Sequence, residues 1–427
     1  MAHRKGYITR QAQRLSDGEI NRRRFVMSAL SAGVTMPTAL SLASKAEAHA
    51  PKPGGTLRLA LSEGALTDSL DPVAADNAFT RLLAFARGNT LTEVTAEGDV
   101  IGELADHFSA SEDKTHWQFH LRTDAKFQSG AALTAADVAA SLTRAAHMIP
   151  SLEGIETDGA HRLVLTLAKP EPDLPRHLAD PKLAIQTGGV GTGPYRLEFF
   201  EPGTHARLTR NPDYWKAGRA HFDAIEMRVY PDVSARQQAV MMNDADYADG
   251  IDPRALALLQ HTPEVALLNV ATGRHIAVEL HETDAGLCDH ILHHLPDAEV
   301  VDRLLLGHGS CGLPENRPTP VTASPKHLRL GVSEDGVPRS QDIARLVAAR
   351  LTEAGHEVEI IANPGDRPVD LSLRWTRDTR HESSGLQVTL AWANDLSAYR
   401  APLSHGGQIG SNAENDGARL IERWWFS

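Results

Sequence analysis

Apolar and polar positions change period repeatedly along this chain. Thr56-Leu57-Arg58-Leu59-Ala60-Leu61 and Trp117-Gln118-Phe119-His120-Leu121 alternate as strands do, and His161 to Leu167 is also β-rich. Ala78 to Gly88 spaces its apolar residues as a helix. Leu133 to Val138 opens another helix, with Thr134 at the cap and Asp137 three residues on, close to a capping box. Further along, Ala235 to Asn243 reads as a helix, and Val265 to Val270 and His275 to Leu280 read as strands. A helix through Leu295 and one from Asp297 to Leu306 follow. His327 to Val332, Gln341 to Ala354 and Glu357 to Ile361 form a β-α-β unit, and Leu371 to Trp375 and Val388 to Trp392 are further strands. Helices and strands interleave throughout, so the class is α/β.

One stretch organises the rest. Gly191-Thr192-Gly193-Pro194-Tyr195 is a corner, followed by a strand, the aromatic turn Asn211-Pro212-Asp213-Tyr214-Trp215, and a second strand at Ile225 to Val229. Glycine reaches backbone angles closed to other residues, which suits a sharp turn. The position near mid-chain predicts a crossover between two lobes.

A length of 427 residues predicts two or three domains. The hydrophobic fraction of 41% supports packed cores. A formal net charge of −12 argues against nucleic acid as a partner, because phosphate neutralisation needs clustered Lys and Arg. Two cysteines, Cys288 and Cys311, exclude a disulfide framework and a four-thiolate zinc site. A Cys288–Cys311 bond stays open in an oxidising compartment.

Residues 1–48 read as a targeting segment. A basic lead runs into Arg22-Arg23-Arg24-Phe25, a mild apolar run follows from Ser28 to Leu42, and Ala46-Glu47-Ala48 makes a small-x-small cleavage site. The paired arginines before Phe25 resemble a twin-arginine signal. Cleavage after Ala48 removes eight basic and three acidic residues and leaves a net charge of −17. The apolar run is too short and too rich in Ser, Thr and Gly for a membrane span.

Several separated motifs point to one family. They are Gly54-Gly55-Thr56-Leu57-Arg58 with Asp68-Ser69-Leu70-Asp71-Pro72; Asn89-Thr90-Leu91; Trp117 through Val138; the 191–195 corner with Arg210 to Trp215; and Glu422-Arg423-Trp424-Trp425-Phe426. In this order they resemble the periplasmic solute-binding proteins of ABC transporters, peptide/nickel group. The resemblance implies a two-lobed periplasmic binding protein fold, type II and of the extended peptide-binding class, with the ligand cleft between the lobes. It implies a signal at 1–48, an N-terminal lobe at 49–270, a shortened second lobe at 271–390 and a returning segment at 391–427. Capture of short peptides or a similar small polar solute follows, with delivery to ABC permease subunits after export to the periplasm by the twin-arginine translocase. A monomer is expected, with no catalysis, no cofactor and no nucleic acid. Asp68 and Asp71, in the loop after the first strand, and Trp375 and Asp378, near the place where peptide-binding relatives carry an aspartate, are the ligand-binding candidates. Asp68 and Asp71 also suit turn and cap chemistry. The shortfall in length after about Gly273 leaves the reading of a divergent member with a smaller ligand or with ligand binding lost, and a nickel or metal-chelate receptor on the same fold is the other alternative.

His290, His293 and His294 share a helical segment, and with His281 and His308 they are the residues a metal reading would use. No carboxylate or cysteine sits with them at ligand spacing, so no metal site is assigned. Gly307-His308-Gly309-Ser310-Cys311-Gly312 misses the nucleophile-elbow pattern, because His308 stands where that pattern needs glycine.

Overall fold

The computed structural model describes residues 7–8, 10–11, 14–15, 21–48, 51–281, 284–314, 324–332, 339–365, 367–376, 386–406, 409–410 and 414–427. Its contacts divide the chain into two compact units: Met1–Val229 with Asn243–Asp246 and Arg400–Ser427, and Tyr230–Met242 with Tyr247–Tyr399.

In the first unit, strands Tyr195–Glu201, His205–Arg210, Ala224–Val229 and Thr56–Leu61 lie side by side in that order. Thr56–Leu61 runs parallel to Ala224–Val229, with Leu57 opposite Ile225 and Leu59 opposite Met227. A second, antiparallel sheet orders Ala105–Ala110, His116–Leu121, Arg162–Leu167 and Leu152–Thr157. Its alternation is the one read in the sequence. Trp117, Phe119 and Leu121 face inward with Leu163, Leu165 and Leu167, and pack with Val138 and Leu142 of helix Ala135–Arg144. Full burial of each such side chain stabilises by about 1.5–3 kcal/mol. The predicted capping box is present: Thr134 accepts from the Asp137 N–H, and the Asp137 carboxylate accepts from the Thr134 N–H.

The N-terminal helices Arg22–Ser31 and Met36–Ala48 close a small core of Leu15, Phe25, Val26, Ala29, Ala39 and Ala43. Asn21 caps the first, accepting from the Arg24 N–H at 2.9 Å. Phe25 is buried, whereas Arg22, Arg23 and Arg24 are exposed. No described helix is long and apolar enough to cross a membrane.

The 191–195 corner lies within the first unit, and the glycines serve a purpose other than the predicted one. Neither Gly191 nor Gly193 adopts the left-handed backbone region. They are needed because two backbones meet: a Cβ on Gly191 would lie 2.1 Å from the Arg87 carbonyl oxygen, and one on Gly193 would lie 2.4 Å from its carbonyl carbon. The Gly193 N–H donates to that same oxygen at 2.9 Å.

In the second unit, strands Gly309–Cys311, Leu386–Ala393, His275–Leu280, Leu371–Thr376, His327–Val332 and Glu357–Ala362 form a mixed sheet in that order. His275–Leu280 is buried along its whole length. The predicted β-α-β unit is there, with helix Ser340–Glu353 stopping before Gly355 at φ +100°. The second of the two predicted helices differs: Asp297–Glu299 passes into a π-helical turn at Val300–Leu304. Cys288 is buried and Cys311 exposed, and the structure has both as thiols.

Candidate functional site

Three of the motifs that carry the resemblance, at Asn89, at the 191–215 stretch and at Glu422-Arg423, meet in the interior of the first unit around a charge network. Glu93, Glu103 and Glu422 converge on Lys216 and Arg419. Arg419 grips Glu103 with two hydrogen bonds of 2.7 Å and donates to Glu422 at 2.9 Å. Arg423 donates to Glu93 at 2.8 Å and pairs with Asp416 at 3.3 Å. Asn89 donates to Glu103 at 2.9 Å and to the Tyr214 hydroxyl at 3.0 Å, and that hydroxyl donates to Glu422 at 2.9 Å. Thr192 and the Trp215 indole N–H both donate to the Asn89 carbonyl. Burial alone would push the Glu93 carboxyl up, but Lys216, Arg419 and Arg423 outweigh it and hold the group well below its ordinary range. These motif residues are scaffold.

Among the described residues, Glu93, Glu103 and Glu422 are the one group of metal-ligating side chains close enough to share an ion. Lys216 and Arg419 already supply their counter-charge, so the trio is an ion-pair cluster.

The ligand candidates divide. Asp68 accepts from the Ala65 N–H at 2.9 Å and from the Asn77 amide at 2.7 Å, which fixes its loop. Asp71 caps the turn Pro72–Ala74, accepting from the Val73 N–H at 3.2 Å, and pairs with Arg144 at the same distance. Both carry the turn and cap chemistry anticipated for them. Asp378 lies outside the described residues.

Trp375 lines a small recess within the second unit, with Arg274, His308, Arg339 and Asn394. Pro253, Leu305 and Leu396 supply apolar wall. The strand register puts Trp375 opposite Ile276, one turn of pleat from Arg274. The Arg274 guanidinium lies 5.0 Å from the Trp375 ring centroid, a cation–π distance, and pairs with Asp395 at 3.2 Å. Arg339 has a left-handed backbone at φ +72°, and its guanidinium donates to the Leu304 carbonyl at 2.7 Å. Asn269 donates to His308 Nδ1 at 2.9 Å and accepts from Asn394 at 2.6 Å. The Trp375 Nε1–H is buried and has no hydrogen-bond partner among the described residues. A buried N–H without an acceptor is uncommon and calls for one. Arg274, Arg339 and Asn394 had no local signal in the sequence; sheet pairing and the β-α-β helix bring them to Trp375.

The histidines do not form one centre. His290, His293 and His294 of helix Ala285–His294 pack with tilted and edge-on rings, and His356 joins them edge-on with its ring 5.2 Å from that of His290. His281 hydrogen-bonds Ser372 and His308 hydrogen-bonds Asn269, each apart from that cluster. Burial, then the neighbouring His290 and His294, push His356 down.

Residues 99–290 match the profile of the bacterial extracellular solute-binding proteins, family 5 middle region. The probable D,D-dipeptide-binding periplasmic protein DdpA of Escherichia coli K12 is 24% identical over 270 residues, 56% of this chain and 52% of that protein. The glutathione-binding protein GsiB of Salmonella choleraesuis is 26% identical over 222 residues, 47% of this chain and 43% of that protein. The chain thus matches about half the length of these curated relatives. Among solved structures, the binding protein AgaA of A. tumefaciens R10 in complex with agropinic acid shares the fold at a TM-score of 0.74 and 19% identity, covering 87% of this chain and 99% of that one. The periplasmic binding protein DppA of Helicobacter pylori with peptide STSA does so at 0.74 and 14%, covering 90% and 99%. The two-lobed type II periplasmic binding protein fold is therefore the fold of this chain. Over residues 99–290 the chain is thus similar to the family 5 bacterial extracellular solute-binding proteins, and its fold is shared with binding proteins solved with a peptide and with a nickel–histidine complex.

Proposed function

We propose that this chain is the extracytoplasmic solute-binding component of an ABC transporter, acting as a monomer that captures a short peptide or a similar small polar solute. It delivers that solute to permease subunits and performs no catalysis. The observation that carries the reading is the recess around Trp375. Its unpartnered indole N–H, on a residue that shares the recess with Arg274, Arg339 and an apolar wall, suits a ligand with a carboxylate or carbonyl oxygen beside a compact apolar part. Glutathione and D,D-dipeptides, named for the relatives, have that chemistry. Residues 1–48 serve as a twin-arginine signal, with Arg22 and Arg23 exposed for recognition.

The test is calorimetric titration with di- and tripeptides, glutathione and D,D-dipeptides. A Trp375→Phe variant keeps an aromatic ring at this position and loses the N–H together with the five-membered half of the indole. Its affinity should fall about 10-fold, the worth of one hydrogen bond to a charged group. A panel in which nothing binds, or a variant that binds as well as the parent, refutes the reading.

A further inference from the structure

A larger cavity, about 280 Å³, lies wholly within the first unit. Arg81 and Phe85 reach it from helix Ala78–Arg87, Arg176 and His177 from the turn Leu174–His177, and Arg419 and Arg423 from the segment that closes the charge network. Met148 and Leu183 add apolar wall.

Two features mark it as more than a packing gap. The first is charge. Four arginines and a histidine face one carboxylate, Asp180, in a protein whose net charge is −12. Asp180 is turned to local work, accepting from the Lys182 N–H at 2.8 Å. Arg419 and Arg423 are matched by the glutamates behind them, and the Arg419 guanidinium stacks 3.9 Å from the Phe85 ring centroid. Arg176 donates to the Gly98 carbonyl at 2.7 Å.

The second feature is two unanswered nitrogens. Arg81 Nε and His177 Nε2 are both buried, both without a hydrogen-bond partner among the described residues, and both on residues that line this cavity. The nearest carboxylate oxygen to His177 Nε2, on Glu171, is 3.7 Å away, too far for a hydrogen bond. Buried polar nitrogens are nearly always satisfied, and two on residues that line one cavity point to a polar partner there.

We infer that this cavity binds a small organic carboxylate with a compact apolar body, such as a branched-chain or aromatic acid. The carboxylate accepts from the Arg81 guanidinium, whose edge matches two carboxylate oxygens, with the His177 imidazole beside it. The body rests on Phe85, Met148 and Leu183. The volume sits near the roughly 300 Å³ lower end of ordinary ligand pockets, which selects a compact acid over a peptide. The inference does not rest on the solute reading, because no residue of the Trp375 recess takes part.

The experiment is thermal shift and calorimetry at low salt with isovalerate, benzoate and phenylacetate, and with benzamide as the uncharged control. At least one carboxylate should raise the melting temperature while benzamide does not. Arg81→Gln and His177→Gln should each weaken binding about 10-fold. Arg81 makes no ion pair among the described residues, and circular dichroism checks that each variant is folded. Trp375→Phe should bind the acid as the parent does. The inference is overturned if no acid shifts the melting temperature, or if the Arg81→Gln/His177→Gln double variant binds with parental affinity. It is also overturned if Trp375→Phe abolishes binding, which places the acid in the recess and leaves the solute reading standing.

Discussion

Lys216 is the residue on which the buried charge network tests itself. Its side chain is 17% exposed, while those of Glu103 and Glu422 are 0% exposed. The ammonium lies 3.0 Å from Glu103, 2.9 Å from Glu422 and in contact with Glu93. Burial pushes the Glu422 carboxyl up, yet Lys216 and Arg419 bring it from its ordinary 4.5 to about 2. A shift of that size corresponds to about 3 kcal/mol. Lys216→Met keeps the stem and removes the charge, leaving carboxylates in the interior with too little to offset them. The expected loss is about 3–5 kcal/mol near neutral pH. The pH dependence follows from the sign. A depressed folded pKa stabilises fully above 4.5, and that stabilisation is lost as pH falls from 4.5 towards 2. At about pH 5 the parent therefore keeps its full contribution. In the variant, burial prevails and a buried carboxyl takes up a proton in the folded state, so stability is partly regained. Urea unfolding followed by circular dichroism, near neutral pH and at about pH 5, measures the gap. A gap below about 1 kcal/mol near neutral pH, or one that does not narrow on acidification, refutes the reasoning.

Gly193→Ala sets a methyl 2.4 Å from the Arg87 carbonyl carbon and should cost about 3 kcal/mol or more, read as a lower melting temperature; an unchanged value would remove the backbone-approach argument. Thr134→Ala loses the acceptor for the Asp137 N–H and should cost about 1 kcal/mol in urea unfolding, whereas Thr134→Ser should cost much less. Replacing Arg22 and Arg23 by Lys should leave unprocessed precursor in the cytoplasm by immunoblot; normal export of that variant would exclude a twin-arginine route.

Local pattern was legible where local physics decides. The alternation at Trp117 to Leu121, the cap at Thr134, and the Ser340–Glu353 helix with its Gly355 stop all depend on neighbours within a few positions. The 191–195 glycines were visible, but their reason was not, because the Arg87 backbone they admit is about a hundred residues away in sequence. The charge network was hidden for the same reason: Glu103 and Arg419 are 316 positions apart, and neither is unusual among its neighbours. Trp375 was legible as an aromatic at a strand end, but the guanidinium stacked on it comes from the adjoining strand's approach. The unanswered nitrogens of Arg81 and His177 are properties of three-dimensional surroundings, and no spacing announces them.

The same network sets an order of events in synthesis. Glu93 and Glu103 are made early, whereas the arginines that neutralise them come 330 and 316 positions later, after the whole of the second unit. Until Arg419 and Arg423 have been translated, Lys216 alone of these three cations stands opposite the two glutamates, so burying them is less favourable and closure of the first unit is expected to wait for the C-terminal segment. A product stopped before Arg419 is expected to present a less protected first unit to proteases. Limited digestion of a chain ending at Ala418 should therefore degrade that unit, and a protected first unit in that truncation would show that closure does not wait for the arginines.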